Sequence, residues 1–97
     1  MNKKEQQKFQ SLQKWLDKKL AHFVKDNTCE ILWDGEDPGF VSLGYESDDE
    51  GWDICLHTLS GNTYSIASGY DCEGMTITEI KDDLKQRIEV RRVVEWT

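Results

Sequence analysis

The chain has no apolar run long enough to cross a membrane. Its first 25 residues, rich in Lys and Gln, lack the apolar segment of a signal peptide. These two absences direct the expectation to a cytoplasmic protein. Cysteine is sparse. Cys29, Cys55 and Cys72 are an odd set with no C-x-x-C spacing, which argues against a disulfide framework and for a reducing compartment. There is no G-x-S-x-G, no phosphate-binding loop and no dinucleotide fingerprint. Histidine occurs twice, as His22 and His57. Cys55 and His57 stand two apart on one predicted strand, but nothing nearby suggests a pocket or an oxyanion donor. The expectation is a protein that is not an enzyme, with no catalytic residue and no cofactor.

The most informative shortage is of positive charge. Residues 28–74 contain eleven Asp or Glu and not one Lys or Arg. Residues 1–27 carry seven lysines against three acids, and residues 75–97 carry five of each sign, for a net charge of −7. Carboxylates packed this closely along a chain repel one another and cost stability. Acidic loops that only aid solubility, partly neutralised in space by the lysines of the first segment, are the bland explanation.

What is present fits one α+β domain. With 97 residues, 37% hydrophobic and 32% charged, the chain is long enough to bury one modest core and too rich in Trp, Phe, Ile and Leu for disorder. Residues 3 to 26 read as an amphipathic helix. Phe9, Leu12, Leu16, Leu20 and Phe23 share one face, Lys4, Lys8, Lys14, Lys18 and Lys25 lie opposite, Trp15 projects near the lysine edge, and Asn27 is a stop. From residue 28 the period changes to two. Strands are predicted at Cys29–Trp33, Phe40–Tyr45, Trp52–Leu59 and Thr63–Ser68, with a turn at Asp37-Pro38-Gly39. A three-residue loop, Ser60-Gly61-Asn62, pairs Leu56 with Ile66 and Thr58 with Tyr64 on one face. It leaves Asp53, Cys55, His57, Ser65 and Ala67 on the other. Thr76-x-x-Glu79 is a capping box opening a helix with Ile77, Ile80, Leu84 and Ile88 in one stripe. Val90, Val93, Val94 and Trp96 leave that stripe, so the helix is expected to end near Glu89 and residues 90–96 to form a last strand; a helix running to the C-terminus is the competing reading. The predicted architecture is two-layer: an N-terminal helix on a mainly antiparallel sheet of four to five strands, with a second helix near the C-terminus.

The candidate site follows from the acids. Asp34, Glu36 and Asp37 fill the first turn, and Glu46, Asp48, Asp49 and Glu50 the second loop, with Trp52 and Asp53 just after it. These nine residues are the expected partner-binding set. Trp33 and Phe40 are further aromatics beside the charges; for these two and for Trp52 a place in the core competes with an anchoring role. A surface evolved to hold nucleic acid presents cations spaced for phosphates, and a rigid sheet bearing carboxylates can occupy it. The expected partner is therefore a basic, nucleic-acid-handling protein, recognised by charge and sensitive to salt. Direct binding to nucleic acid or membrane is not expected, because the first helix spends its apolar face on the sheet and the net charge repels both.

In general plan, a helix with an acidic antiparallel sheet at small size, the chain resembles the acidic inhibitors that phages and plasmids encode. Uracil-DNA glycosylase inhibitors, other DNA mimics and immunity proteins of nuclease toxins are examples. The resemblance is of architecture and charge, carries no individual residue, and implies a non-enzymatic inhibitor of phage or mobile-element type. Alternatives are an immunity protein, an assembly subunit that dimerises through its sheet, and a small zinc domain in which Cys29 and Cys72 converge on Cys55 and His57. No zinc motif matches those spacings, and Asp48-Asp49-Glu50-Gly51 lacks the ligand alternation of a calcium loop, so no metal ligand is assigned.

Overall fold

The computed structural model describes residues 3–20, 29–48 and 51–92, with only the backbone of Cys29 and Arg92. Helix α1 spans Lys3–Lys19. It buries Phe9, Leu12 and Leu16, and Leu20 one residue beyond continues the stripe. The predicted last turns, with His22, Phe23, Lys25 and Asn27, lie outside the described residues. Lys8 departs from expectation. Four residues before Leu12, it borders the apolar stripe rather than opposing it, and it is buried with its ammonium 3.3 Å from Glu5. Trp15 is half-buried at the edge of the core, with the Lys19 ammonium 5.6 Å from its ring centre.

Six antiparallel strands follow: β1 Cys29–Trp33, β2 Glu36–Gly39, β3 Val41–Ser47, β4 Trp52–Thr58, β5 Thr63–Ser68 and, after helix α2 at Ile77–Arg87, β6 Ile88–Arg92. The α+β class holds, but the strands form two three-stranded sheets rather than one larger sheet: β2-β1-β6 and β3-β4-β5, called A and B here. The division starts at the first turn. Asp34 and Gly35 have φ of 53° and 80°, and Trp33 pairs directly with Glu36. This is the two-residue hairpin turn whose twist matches that of its strands, and it suits Asp-Gly. The expected turn at Asp37-Pro38-Gly39 is instead the edge strand β2, where a bulge tolerates a proline that cannot donate to a ladder. Gly39, at φ 79°, then redirects the chain into sheet B.

In sheet B the β4–β5 register differs from expectation. Leu56 faces Tyr64 and His57 faces Thr63, so the loop is Leu59-Ser60-Gly61, closed by the Thr58 amide on the Asn62 carbonyl at 2.9 Å. Gly61 takes the positive φ, 95°. A bulge after Ser65 restores the apolar pattern, so both Ile66 and Ala67 turn inward, although Ala67 was expected on the polar face.

Helix α2 begins at the predicted capping box. Glu79 N–H donates to Thr76 Oγ1 at 3.2 Å, and Thr76 N–H donates to Glu79 Oε1 at 3.1 Å. It ends at Arg87, two residues before the expected limit. Ile88 is already extended and opens β6, which pairs along all of β1. The last strand is thus borne out over residues 90–92 and starts two residues earlier than expected, at Ile88; Val93, Val94 and Trp96 lie outside the described residues.

One core joins these parts. Leu12 and Leu16 of α1, Ile31 of β1, Ile54 and Leu56 of β4, and Ile80 and Leu84 of α2 are all essentially inaccessible. Helix α1 covers the inner face of sheet B. Phe9 lies edge-on to Tyr45 at 6.4 Å and tilted on Trp52 at 5.6 Å, and Tyr45 O–H donates to Asp17 Oδ1 at 2.6 Å. Burial, then Asp17, hold the Tyr45 phenol well above its usual range. Gly35→Ala should lower stability by about 1 kcal/mol, because a Cβ is strained at that positive φ. Denaturant unfolding of the variant checks this, with the midpoint shifting at constant slope.

Candidate functional site

The two acidic groups fall on different sheets and in different electrostatic surroundings. Asp34 is structural. Its carboxylate takes Arg87 Nε at 2.8 Å and Arg87 Nη2 at 2.7 Å, while its amide donates to the Arg87 carbonyl at 2.8 Å. The same guanidinium lies 4.1 Å from the centre of the Trp33 ring, so Trp33 is a buried platform and not an exposed anchor. Arg87 holds the Asp34 carboxyl below its usual range. Asp37 accepts Gly39 N–H at 2.7 Å and Arg91 Nη2 at 3.4 Å, and Arg91 Nε also donates to Glu30 at 2.8 Å. Only Glu36 of this group is exposed without a partner among the described residues. The counter-charges come from α2 and β6, not from the lysines of α1.

In the second group, Glu46 and Asp53 have no counter-charge among the described residues. Glu46 on β3 and Asp53 on β4 are directly opposite each other on the outer face of sheet B. Like charges so placed destabilise a sheet, and neither carboxylate has a Lys or Arg within ion-pair distance among the described residues. Asp53 is held by hydrogen bonds instead, from Ser65 Oγ at 2.8 Å and Cys55 Sγ at 3.2 Å. Asp48 shapes the adjoining turn, accepting Gly51 N–H at 2.8 Å and donating its own amide to the Gly51 carbonyl at 2.8 Å. Asp49 and Glu50 lie outside the described residues. Glu46, Asp48, Asp53, Ser68 and Tyr70 line a shallow cleft of about 240 Å³.

Trp52 also borders this cleft but is 4% exposed. It belongs to the core, tilted on Phe9, with its indole N–H on Glu5 Oε2 at 3.2 Å. The exposed aromatic is Tyr70, at 87%, which composition and period did not single out. Its position after Gly69 is the clue. A Cβ at Gly69 would stand 3.0 Å from the Trp52 indole nitrogen, so the chain turns tightly over Trp52 and casts Tyr70 outward. Phe40 is half-buried against the core.

The rest of the outer face is small and polar: Ser42 and Gly44 on β3, Cys55 and His57 on β4, Thr63 and Ser65 on β5. The His57 ring lies across Gly44, where a side chain would collide with it, and its Nδ1 is 3.3 Å from Thr63 Oγ1. Cys72 is buried in the core while Cys55 and His57 face outward, so these do not converge. Among the described residues no three His, Cys, Asp or Glu side chains assemble to hold a metal. A larger cleft, about 510 Å³, runs between α1 and the turn before α2, where the buried Lys8 is already paired with Glu5. No described helix is long and apolar enough to cross a membrane.

No protein-family model, curated protein or solved structure matches this chain.

Two pH responses follow. Burial, then the Asp53 carboxylate, push the Cys55 thiol up to about 11. Peptide-resolved alkylation should show Cys55 unreactive at pH 8, with its rate rising only as pH approaches that value. Asp53→Asn should move the rise to lower pH without abolishing the shift. For Asp34, whose folded-state pKa is depressed, the contribution to stability is present above about pH 4 and lost on acidification. Asp34→Asn, which tolerates the same positive φ, should therefore make the acid limb of the stability curve shallower.

Proposed function

We propose that the chain is a non-enzymatic, cytoplasmic binding protein that places the Glu46–Asp53 end of sheet B against a basic, nucleic-acid-handling surface of a partner protein. The observation that carries this reading is the pair itself. Two carboxylates stand opposite each other on one sheet face with no cation among the described residues to offset them, beside an 87% exposed tyrosine. Arg87 and Arg91 neutralise Asp34 and Asp37, whereas Glu46 and Asp53 have no such counter-charge among the described residues. Repulsion retained on a rigid surface is relieved when a cationic surface closes over it, as it is when cations approach the phosphates of a duplex.

Tyr70 supplies an amphipathic ring at the rim of the anionic cleft, the anatomy of an anchoring residue beside polar contacts. Asp53 is oriented by hydrogen bonds from Ser65 and Cys55, and Asp48 is tied to Gly51 by two hydrogen bonds. Such a surface acts as a mimic of nucleic acid by charge and shape, and it inhibits by occupancy. An immunity protein would use the same surface and differ in its partner alone.

The experiment is capture from nuclease-treated lysate with the protein immobilised. Captured proteins should be nucleic-acid-binding, should be displaced by duplex DNA, and should lose roughly ten- to fifty-fold in affinity between ~50 and ~200 mM salt if about three counterions are released. Glu46→Lys with Tyr70→Ala should abolish capture while the circular dichroism spectrum stays unchanged. Capture that survives this double substitution would refute the proposal.

A further inference from the structure

The structure segregates charge by layer as well as along the chain. At 100° per residue, Lys3, Lys4, Lys14 and Lys18 fall within an arc of roughly 100° on the side of α1 away from Phe9, Leu12 and Leu16. All four are exposed, and none forms an ion pair among the described residues. Gln7 and Ser11 lie between them, and no acid interrupts the row. On the far side of the molecule, beyond the inner face that α1 covers, the outer face of sheet B carries Glu46 and Asp53. Among the described residues, one layer thus ends in ammonium groups without a counter-charge and the other in carboxylates without one. The two cannot meet within one molecule, because the core lies between them.

We infer that this lysine row docks on the outer face of sheet B of a second copy of the chain, so that molecules associate head to tail. Charge complementarity selects that occupant, since each copy carries both surfaces and the lysine row of one matches the carboxylates of the next. Dimensions agree as well. The row from Lys4 to Lys18 runs about 21 Å along the helix, and the seven residues of β4 extend about 23 Å. Small side chains at the centre of the outer face leave room for a helix. Its central positions are Ser42, Gly44 and Ser65, with the His57 ring lying over Gly44 instead of standing upright. The contact is heterologous, and its repetition gives open chains of copies rather than a closed pair. It engages the same carboxylates as a foreign basic partner but does not depend on that partner's existence.

Sedimentation velocity at ~10 mM and at ~1 M salt tests the inference, because the screening length falls from about 30 Å to about 3 Å between them. The wild type should sediment above its 11.3 kDa monomer mass at low salt and as monomer at high salt. Two variants are each blocked on one face: Lys14→Glu/Lys18→Glu, and Glu46→Lys. Each alone should lose most of the association. Mixed, they should form a dimer and nothing larger, through the one intact helix face and the one intact sheet face. Circular dichroism of both variants verifies folding, and Lys14→Gln/Lys18→Gln replaces the reversal if that variant unfolds. A wild type that is monomeric at both salts, or a mixture that forms no dimer, overturns the inference. Either result leaves capture of a basic protein by the monomer unaffected.

Discussion

The guanidinium of Arg87 decides which carboxylates of this chain are structural. It sits at the junction of α2 and β6, with two hydrogen bonds to Asp34, a face on Trp33, and Asp83 at 3.7 Å. A lysine could not reproduce this, because the planar fork meets a carboxylate with two bonds while its face stacks on a ring. Through this contact a two-residue turn 53 residues earlier is tied to the end of the last helix. Since β6 begins at the next residue, the same contact sets the pairing of β6 along β1. The charge of Asp34 is thereby spent on the fold. Surface ion pairs as such are worth little, so the importance of this one lies in its geometry and its stacking.

Sheet B has no equivalent among the described residues. The opposition of Glu46 and Asp53 is a local cost within an otherwise consistent structure, in which Ile54, Leu56 and Ile66 fill the core and α1 covers them. Where propensity, patterning and burial all agree, a single conflict with them points to a role outside folding. The serine and cysteine hydroxyl and thiol groups that hold Asp53 orient its charge without neutralising it.

Strands β1 and β5 were legible to the residue, because β-branched and aromatic runs flanked by turn residues leave little freedom in their limits. The start of α2 was equally legible through Thr76 and Glu79, since a capping box is a local device. Strand β2 was not. Its four residues, Glu-Asp-Pro-Gly, carry no apolar side chain, and the pull of Pro38-Gly39 toward a turn outweighed the Asp34-Gly35 pair that makes the real one. The β4–β5 register escaped because the bulge at Ile66 lets two consecutive residues face inward, which strict alternation does not allow. At the candidate site, the anionic character of 46–53 was readable from composition. The neutralisation of Asp34 and Asp37 was not, because the arginines responsible lie more than fifty residues away. Trp52 proved to be core because its large ring is worth more buried than exposed, whereas Tyr70 is displaced by the close passage of the chain over that ring.

The irregularities in β2 and β5 have a consequence for how the protein behaves when crowded. An outermost strand with regular spacing offers its unpaired amides and carbonyls as a template on which further chains can stack into fibrils. Here β2 closes one side of its sheet with a proline and a distorted ladder, and β5 closes one side of the other with an extra residue that twists the backbone out of line. Growth by main-chain hydrogen bonding is disfavoured at both of these margins, so the chain can keep a flat, uncovered β surface in solution with less risk of amyloid-type precipitation.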